Sequence, residues 1–171
     1  MIIDELALKA RDNYVTIKCY VYVAQSLASI FLHLVFSTKE RRPFLCEADL
    51  QARTHGYLAS ILNNAQWPAT VVGGVADHVH ILFELSRQTS VATIVGDLKA
   101  SSSKWLKAQG VAGFAWQRGY GCFSVSQSNV SEVRNYIADQ PRHHRARSFQ
   151  DELRLLLAKH GIAYDESYLW E

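Results

Sequence analysis

The chain has 171 residues, 49% of them hydrophobic and 20% charged, the range of an ordinary globular domain with one real core. Its three cysteines, Cys19, Cys46 and Cys122, are widely spaced and odd in number, which argues against a disulfide framework or a paired-cysteine zinc site and suits a reducing cytoplasm. No apolar run approaches membrane-spanning length, and Asp4 and Glu5 near the start are unlike a secretory signal. Net charge is only +2, but five basic residues face one acid between Arg87 and Arg118, and the last 22 residues are acidic. A polyanionic partner such as nucleic acid fits this asymmetry; so do plain solvated faces.

Residues 15–23 alternate as a strand does. Residues 27–37 form a second predicted strand, with Ile30, Leu32, Leu34 and Phe36 on one face and Phe31, His33 and Val35 on the other. Apolar on both faces, it belongs in the middle of a sheet. Lys39 to Pro43 read as a basic loop, and Ala48 to Leu62 as a helix weakened by Gly56. Thr70–Val75 and His78–Leu85 read as an antiparallel pair joined by a tight turn at Ala76-Asp77.

Ser90 is the expected N-cap of a helix to about Lys107, with Val91, Ile94, Val95, Leu98, Ser102 and Trp105 on one face. Residues 114–116 and 120–125 are strand-like. Asn129 to Glu132 has capping-box spacing for a helix that Pro141 ends or kinks at Gln140. A last helix runs from near Ser148 to Gly161, followed by an aromatic tail. From residue 27 the order is strand, helix, strand, strand, helix, strand: the α+β, ferredoxin-like βαββαβ plan with an antiparallel sheet and further C-terminal helices.

Two features carry chemistry. His78 and His80 flank Val79 in a strand, so their imidazoles share one face and can aim at one metal ion. Spacing alone leaves open a pair of hydrogen-bonded sheet histidines. Tyr136 and Gln140 are four apart, on one side of a helix. A tyrosine near a metal-bound phosphate can attack it, and a glutamine amide oxygen can be a hard ligand; equally, a half-buried helical tyrosine can simply be core. His33 can orient a ligand or phosphate or be a satisfied sheet histidine, and His143-His144 can face DNA, support the site, or belong to a solvated basic loop.

The blocks Phe31–Lys39, Gly73–Ile81, Trp116–Tyr120 with Phe123–Val125, and Tyr136–Gln140 occur in an order that resembles the single-tyrosine HUH transposases. That family, named for His, a bulky hydrophobic residue, His, includes small insertion-sequence transposases and REP-associated tyrosine transposases. The resemblance covers about residues 27–170. It implies one transposase domain over 24–171, with 1–23 as an N-terminal extension. It also implies Tyr136 as nucleophile on single-stranded DNA and a divalent ion, Mg or Mn, on His78, His80 and Gln140. A 5′-phosphotyrosine intermediate, recognition of DNA hairpins and a homodimer are implied as well, in a cytoplasmic, nucleoid-associated protein without a membrane role. The basic residues then expected to contact DNA are Lys39, Arg41, Arg42, Lys99, Lys104, Arg118 and Arg145. The same scaffold would also suit a non-catalytic or domesticated hairpin-binding protein, or a nicking enzyme of the replication or relaxase type.

Overall fold

The structure, a computed structural model, describes residues 7–10, 13–16, 27–145 and 147–170. Strands β1 (Ala7–Ala10) and β2 (Asn13–Thr16) pair antiparallel in a small sheet of their own. Most of the strand expected at 15–23 lies outside the described residues.

The main sheet has four strands: β3 (Phe31–Ser37), β4 (Ala69–Val75), β5 (His78–Glu84) and β6 (Gly121–Val125), in the order β4-β5-β3-β6, with every pair antiparallel. Helix α1 (Ala48–Asn64) joins β3 to β4, and α2 (Val91–Ala108) joins β5 to β6, which completes the ferredoxin-like plan. β3 lies between β5 and β6, as its two apolar faces require.

Alternation along the strands divides the side chains between two layers. Leu32, Leu34 and Phe36 of β3 and Val79, Ile81 and Phe83 of β5 meet Leu50, Leu58 and Leu62 of α1 and Ile94, Val95, Leu98 and Leu106 of α2. At about 1.5–3 kcal/mol for each large side chain removed from water, this is the layer that anchors the sheet. Ser90 caps α2 by accepting from the Thr93 N–H, as its position predicts. The opposite face of the sheet carries a smaller cluster, Val35 and Phe123 against Phe149, Leu153 and Leu157.

That second face is covered by the C-terminal helices: α3 (Val130–Ala138), α4 (Gln140–His143), α5 (Phe149–Lys159) and α6 (Glu166–Leu169). Ser148 caps α5 through the Asp151 N–H. The expected capping box at Asn129 does not form. A 3-10 turn over Gln127–Asn129 leads into α3 and leaves Asn129 at φ −100°, ψ −2°, whereas a capping residue is extended. The stretch 114–116 is not a strand: it touches the sheet through one bridge, Thr38 to Trp116, and the Trp116 indole N–H donates to the buried Ser102 hydroxyl at 2.9 Å. Nor does one helix run to Gln140. It stops at Ala138, turns at Asp139, and restarts as α4 with Pro141 in its first turn, where the missing N–H costs nothing.

Candidate active site

The first half of the site is built by β5. Because Val79 faces the main core, His78 and His80 both face the C-terminal helices, and both are fully buried. Each ring is held from behind. His78 Nδ1 lies 2.7 Å from Asp77 Oδ1, at the tight turn between β4 and β5. Thr38 fixes that turn by donating its backbone N–H to the Asp77 carbonyl at 2.8 Å. His80 Nδ1 lies 2.9 Å from Nε2 of His33, its diagonal neighbour on β3. Both histidines therefore turn Nε2 toward the helices, which is how a second partner fixes the tautomer of a metal-ligating imidazole.

The second half comes from the helices. Gly73 of β4 lets α3 approach closely: a Cβ there would sit 2.3 Å from the Ile137 carbonyl oxygen and 2.9 Å from its Cγ2. The neighbouring Tyr136 is thereby brought over the histidines, its ring centre 6.0 Å from that of His80 and 6.2 Å from that of His33. Beyond the break at Asp139, Gln140 is fully buried, with its amide oxygen 3.5 Å from His78 Nε2. The turn at Pro141 therefore leaves the expected third ligand beside the histidine pair.

At the centre lies a residue that sequence reasoning missed, Glu152 of α5. One carboxylate oxygen, Oε1, accepts from the Tyr136 hydroxyl and, at 2.8 Å, from the Gln140 amide. The other, Oε2, is 2.9 Å from His144 Nε2, 3.4 Å from His80 Nε2 and 3.8 Å from His78 Nε2. His144, which the sequence leaves between DNA, the site and a solvated loop, lies against this carboxylate. His78, His80, His144 and Glu152 each offer one ligand atom, and all four atoms lie within 4.8 Å of one another.

Burial dominates the electrostatics. It lowers the pKa of His80 well below the ordinary value, helped by the nearby His78 and His144, and it lowers that of His33 in the same way, so both are neutral. His144 is lowered to about 4, by burial first and then by His78. Burial pushes Glu152 up to about 7 against the opposing pull of His78. For Asp77 burial works upward, but the hydrogen bond and charge of His78 outweigh it and hold the carboxyl below its usual range. The residues fit a divalent cation on one further observation: His80 Nε2 is buried, neutral and without a hydrogen-bond partner, at the point where Glu152 converges.

Tyr136 is reached from two sides. A cavity of about 330 Å³ runs between β6, α3 and α5, with Phe123, Val133 and Leu156 on its walls. A second, of about 200 Å³, is lined by Arg142, His143, His144 and Arg147; Tyr136 and Glu152 border both.

The basic residues singled out by sequence are scattered. Lys39 and Arg41 lie on a 3-10 turn over Lys39–Arg41, with Arg42 just beyond it, ion-paired to Glu40. The guanidinium of Arg41 lies over the Trp170 ring. Lys99 points inward and donates to the carbonyls of Gln117, Arg118 and Gly119 at 2.7–3.2 Å, and burial lowers it to about 8. That geometry is a clamp on the loop that carries Arg118. Lys104 and Arg118 are exposed beside Lys99 in an open groove along α2, and Arg145 is exposed after α4.

Residues 26–140 match the family described as Transposase IS200 like, well over half of the chain. The chain belongs to that family. Two solved structures show the same fold. One is a provisionally assigned transposase from Deinococcus radiodurans R1, 20% identical, with a TM-score of 0.55 over 69% of this chain and 95% of that one. The other is a REP-associated tyrosine transposase bound to a REP hairpin, 14% identical, with a TM-score of 0.54 over 72% of this chain and 73% of that one. No curated protein matches. In this IS200-like transposase the family match ends at Gln140, so His144 and Glu152 lie beyond it. One signal for His144 was available: Tyr136, Gln140 and His144 repeat at a spacing of four. For Glu152 there was none, since an acid in the first turn of a helix has its own local reason to be there. Among the described residues no helix is long and apolar enough to cross a membrane.

Proposed function

We propose that this transposase cleaves and rejoins single-stranded DNA through a covalent bond to Tyr136. The observation that carries this is the convergence of Tyr136, Gln140, His78 and His80 on one buried carboxylate. His78, His80 and Gln140 would hold a divalent cation, Mg or Mn, which when bound supplies Lewis-acid polarisation of the phosphoryl oxygens. The Tyr136 oxygen attacks the scissile phosphorus as its proton passes to Glu152 Oε1. The bond from phosphorus to the 3′ oxygen breaks, the 3′ oxygen takes a proton from solvent and leaves as a 3′-hydroxyl, and the 5′ end stays on Tyr136 as a phosphotyrosine. A 3′-hydroxyl from a second strand reverses the step and joins strands without an external energy source.

The wider reading takes hairpins in single-stranded DNA as the recognised form. The cavity lined by Arg142 and Arg147 is placed to receive phosphate oxygens next to the scissile group. Lys104, Arg118, Lys39, Arg42 and Arg145 would add salt-sensitive backbone contacts. Two copies working together on exchanging strands, residues 24–171 acting as one domain after an extension at 1–23, and a place beside cytoplasmic chromosomal DNA complete the proposal.

The test is incubation with Mn or Mg and labelled hairpin DNA carrying a single-stranded flank, followed by a denaturing gel. A metal-dependent protein–DNA adduct that disappears in Tyr136→Phe is expected. An adduct that persists in that variant refutes the assignment, and so does cleavage without any adduct.

A further inference from the structure

The donor set is richer in nitrogen than the two histidines and one glutamine of the proposal above. His144 Nε2 approaches Glu152 Oε2 most closely, at 2.9 Å, and its ring centre is 4.4 Å from that of His78. Two of the imidazoles have an outer anchor, Asp77 for His78 and His33 for His80, and the His144 ring packs against that of His78. Such anchoring turns the remaining nitrogen of both anchored rings toward a shared point. The three separations from Glu152 Oε2, 2.9, 3.4 and 3.8 Å, bracket the spacing of about 3.4 Å between ligand atoms around a tetrahedral ion with bonds near 2.1 Å.

We infer that the metal site of this chain is a four-ligand centre of His78, His80, His144 and Glu152, selective for a first-row transition ion over magnesium. Imidazole is a good donor to Zn, Fe, Ni and Cu and binds Mn less strongly, whereas Mg prefers oxygen and keeps its waters. Three imidazoles and one carboxylate oxygen therefore favour the transition ion. Glu152 does double service. Oε2 joins the metal, while Oε1 stays turned to Tyr136 and to Gln140. The carboxylate thus ties the position of the nucleophile to the filling of the site. Gln140, its N–H committed to Oε1, presents its own oxygen at the edge of the cluster as an additional ligand.

This inference rests on the metal-binding part of the proposed function and not on the chemistry of Tyr136. It is tested on the full chain, stripped with chelator and titrated calorimetrically with Mn, Zn and Mg chlorides. Mn and Zn should bind at one site, and Mg weaker than Mn by on the order of a hundredfold. His144→Ala and Glu152→Gln should each weaken Mn binding about tenfold or more. Because a variant can lose its fold, nitrogen hyperfine coupling is also counted in the Mn-loaded parent by pulsed electron paramagnetic resonance. Three coordinated imidazoles are expected. Two imidazoles, or Mg binding as tight as Mn, overturn the inference; so does unchanged Mn affinity in both variants. Tight three-imidazole binding without any DNA adduct would leave this site standing and sink the transposase chemistry. An adduct formed on a two-imidazole site would do the reverse.

Discussion

Gly73→Ala is the sharpest test of how the sheet positions Tyr136. The added methyl would sit 2.3 Å from the Ile137 carbonyl oxygen, against an ordinary contact of 3.4 Å or more. Relief needs about 1 Å of separation between β4 and α3. β4 cannot simply retreat, because α1 packs against it as α3 does. Forcing a methyl into such a contact costs about 1–3 kcal/mol. The shift falls on Ile137, and Tyr136 and Gln140 move with it. A displacement near 1 Å in a reacting group costs on the order of a hundredfold in rate. Gly56→Ala is the control: nothing lies within 4 Å of a Cβ there, in an exposed turn of α1, so stability should rise by about 0.5–1 kcal/mol. The assays are urea unfolding and single-turnover adduct formation. If Gly73→Ala unfolds and reacts like the parent, α3 is not held by this contact and the positioning argument is wrong.

Three further outcomes follow from the same geometry. The metal-free protein should lose stability in acid. His33, His55, His80 and His144 have lowered folded-state values, about 4 for His55 and His144. As pH falls through the ordinary 6.5, the unfolded chain therefore takes up protons that the folded chain refuses. Glu152 acts in the opposite sense between about 7 and 4.5, since the folded chain protonates it first. Four groups against one predict that Tm falls by on the order of 10 °C from pH 7 to pH 5; a scan in which Tm rises contradicts the sign. His33→Phe strands the buried His80 Nδ1, and should cost about 1–3 kcal/mol in denaturant unfolding and about tenfold or more in Mn affinity. Lys99→Met removes the donor shared by three carbonyls and should lower stability by about 1 kcal/mol or more, with faster amide exchange around 117–119; unchanged exchange there would show that the clamp is idle.

The sheet was legible because its signals are local and periodic. Alternation in β3 and β5 says which residues face the main core, and hence that His78 and His80 point together. Ser90 and Ser148 announced their helices because a capping hydroxyl needs only the next turn of its own chain. Errors arose where a neighbouring segment decides. Trp116 has a strand-like setting, but its indole is claimed by Ser102 of α2. Asn129 has the spacing of a cap, but the preceding 3-10 turn sets its backbone. Pro141 reads as the end or kink of a helix at Gln140, but the chain breaks one residue earlier, at Asp139, and Gln140 stays beside His78. Glu152 was invisible for the same reason. Its role depends on α5 crossing the sheet, which rests on Phe149, Leu153 and Leu157 meeting Val35 and Phe123.

The two halves of the site also differ in what holds them. The histidines lie on β5, an interior strand backed by the larger apolar layer, and are anchored by a neighbouring strand and a pinned turn. Tyr136, Gln140 and Glu152 lie on short helices, with His144 just after α4, and they meet the sheet through Ile137 against Gly73, through ring contacts on His78 and His80, and through the Glu152 carboxylate. The proposed reaction, which would bind a phosphate at a fixed anchor and then carry a covalently attached strand to a new partner, would draw on both halves. Glu152 lies where the two meet. Its hydrogen bonds to the Tyr136 hydroxyl and the Gln140 amide, with its approach to the three histidines, fasten the helical half to the sheet together with the Ile137 contact at Gly73.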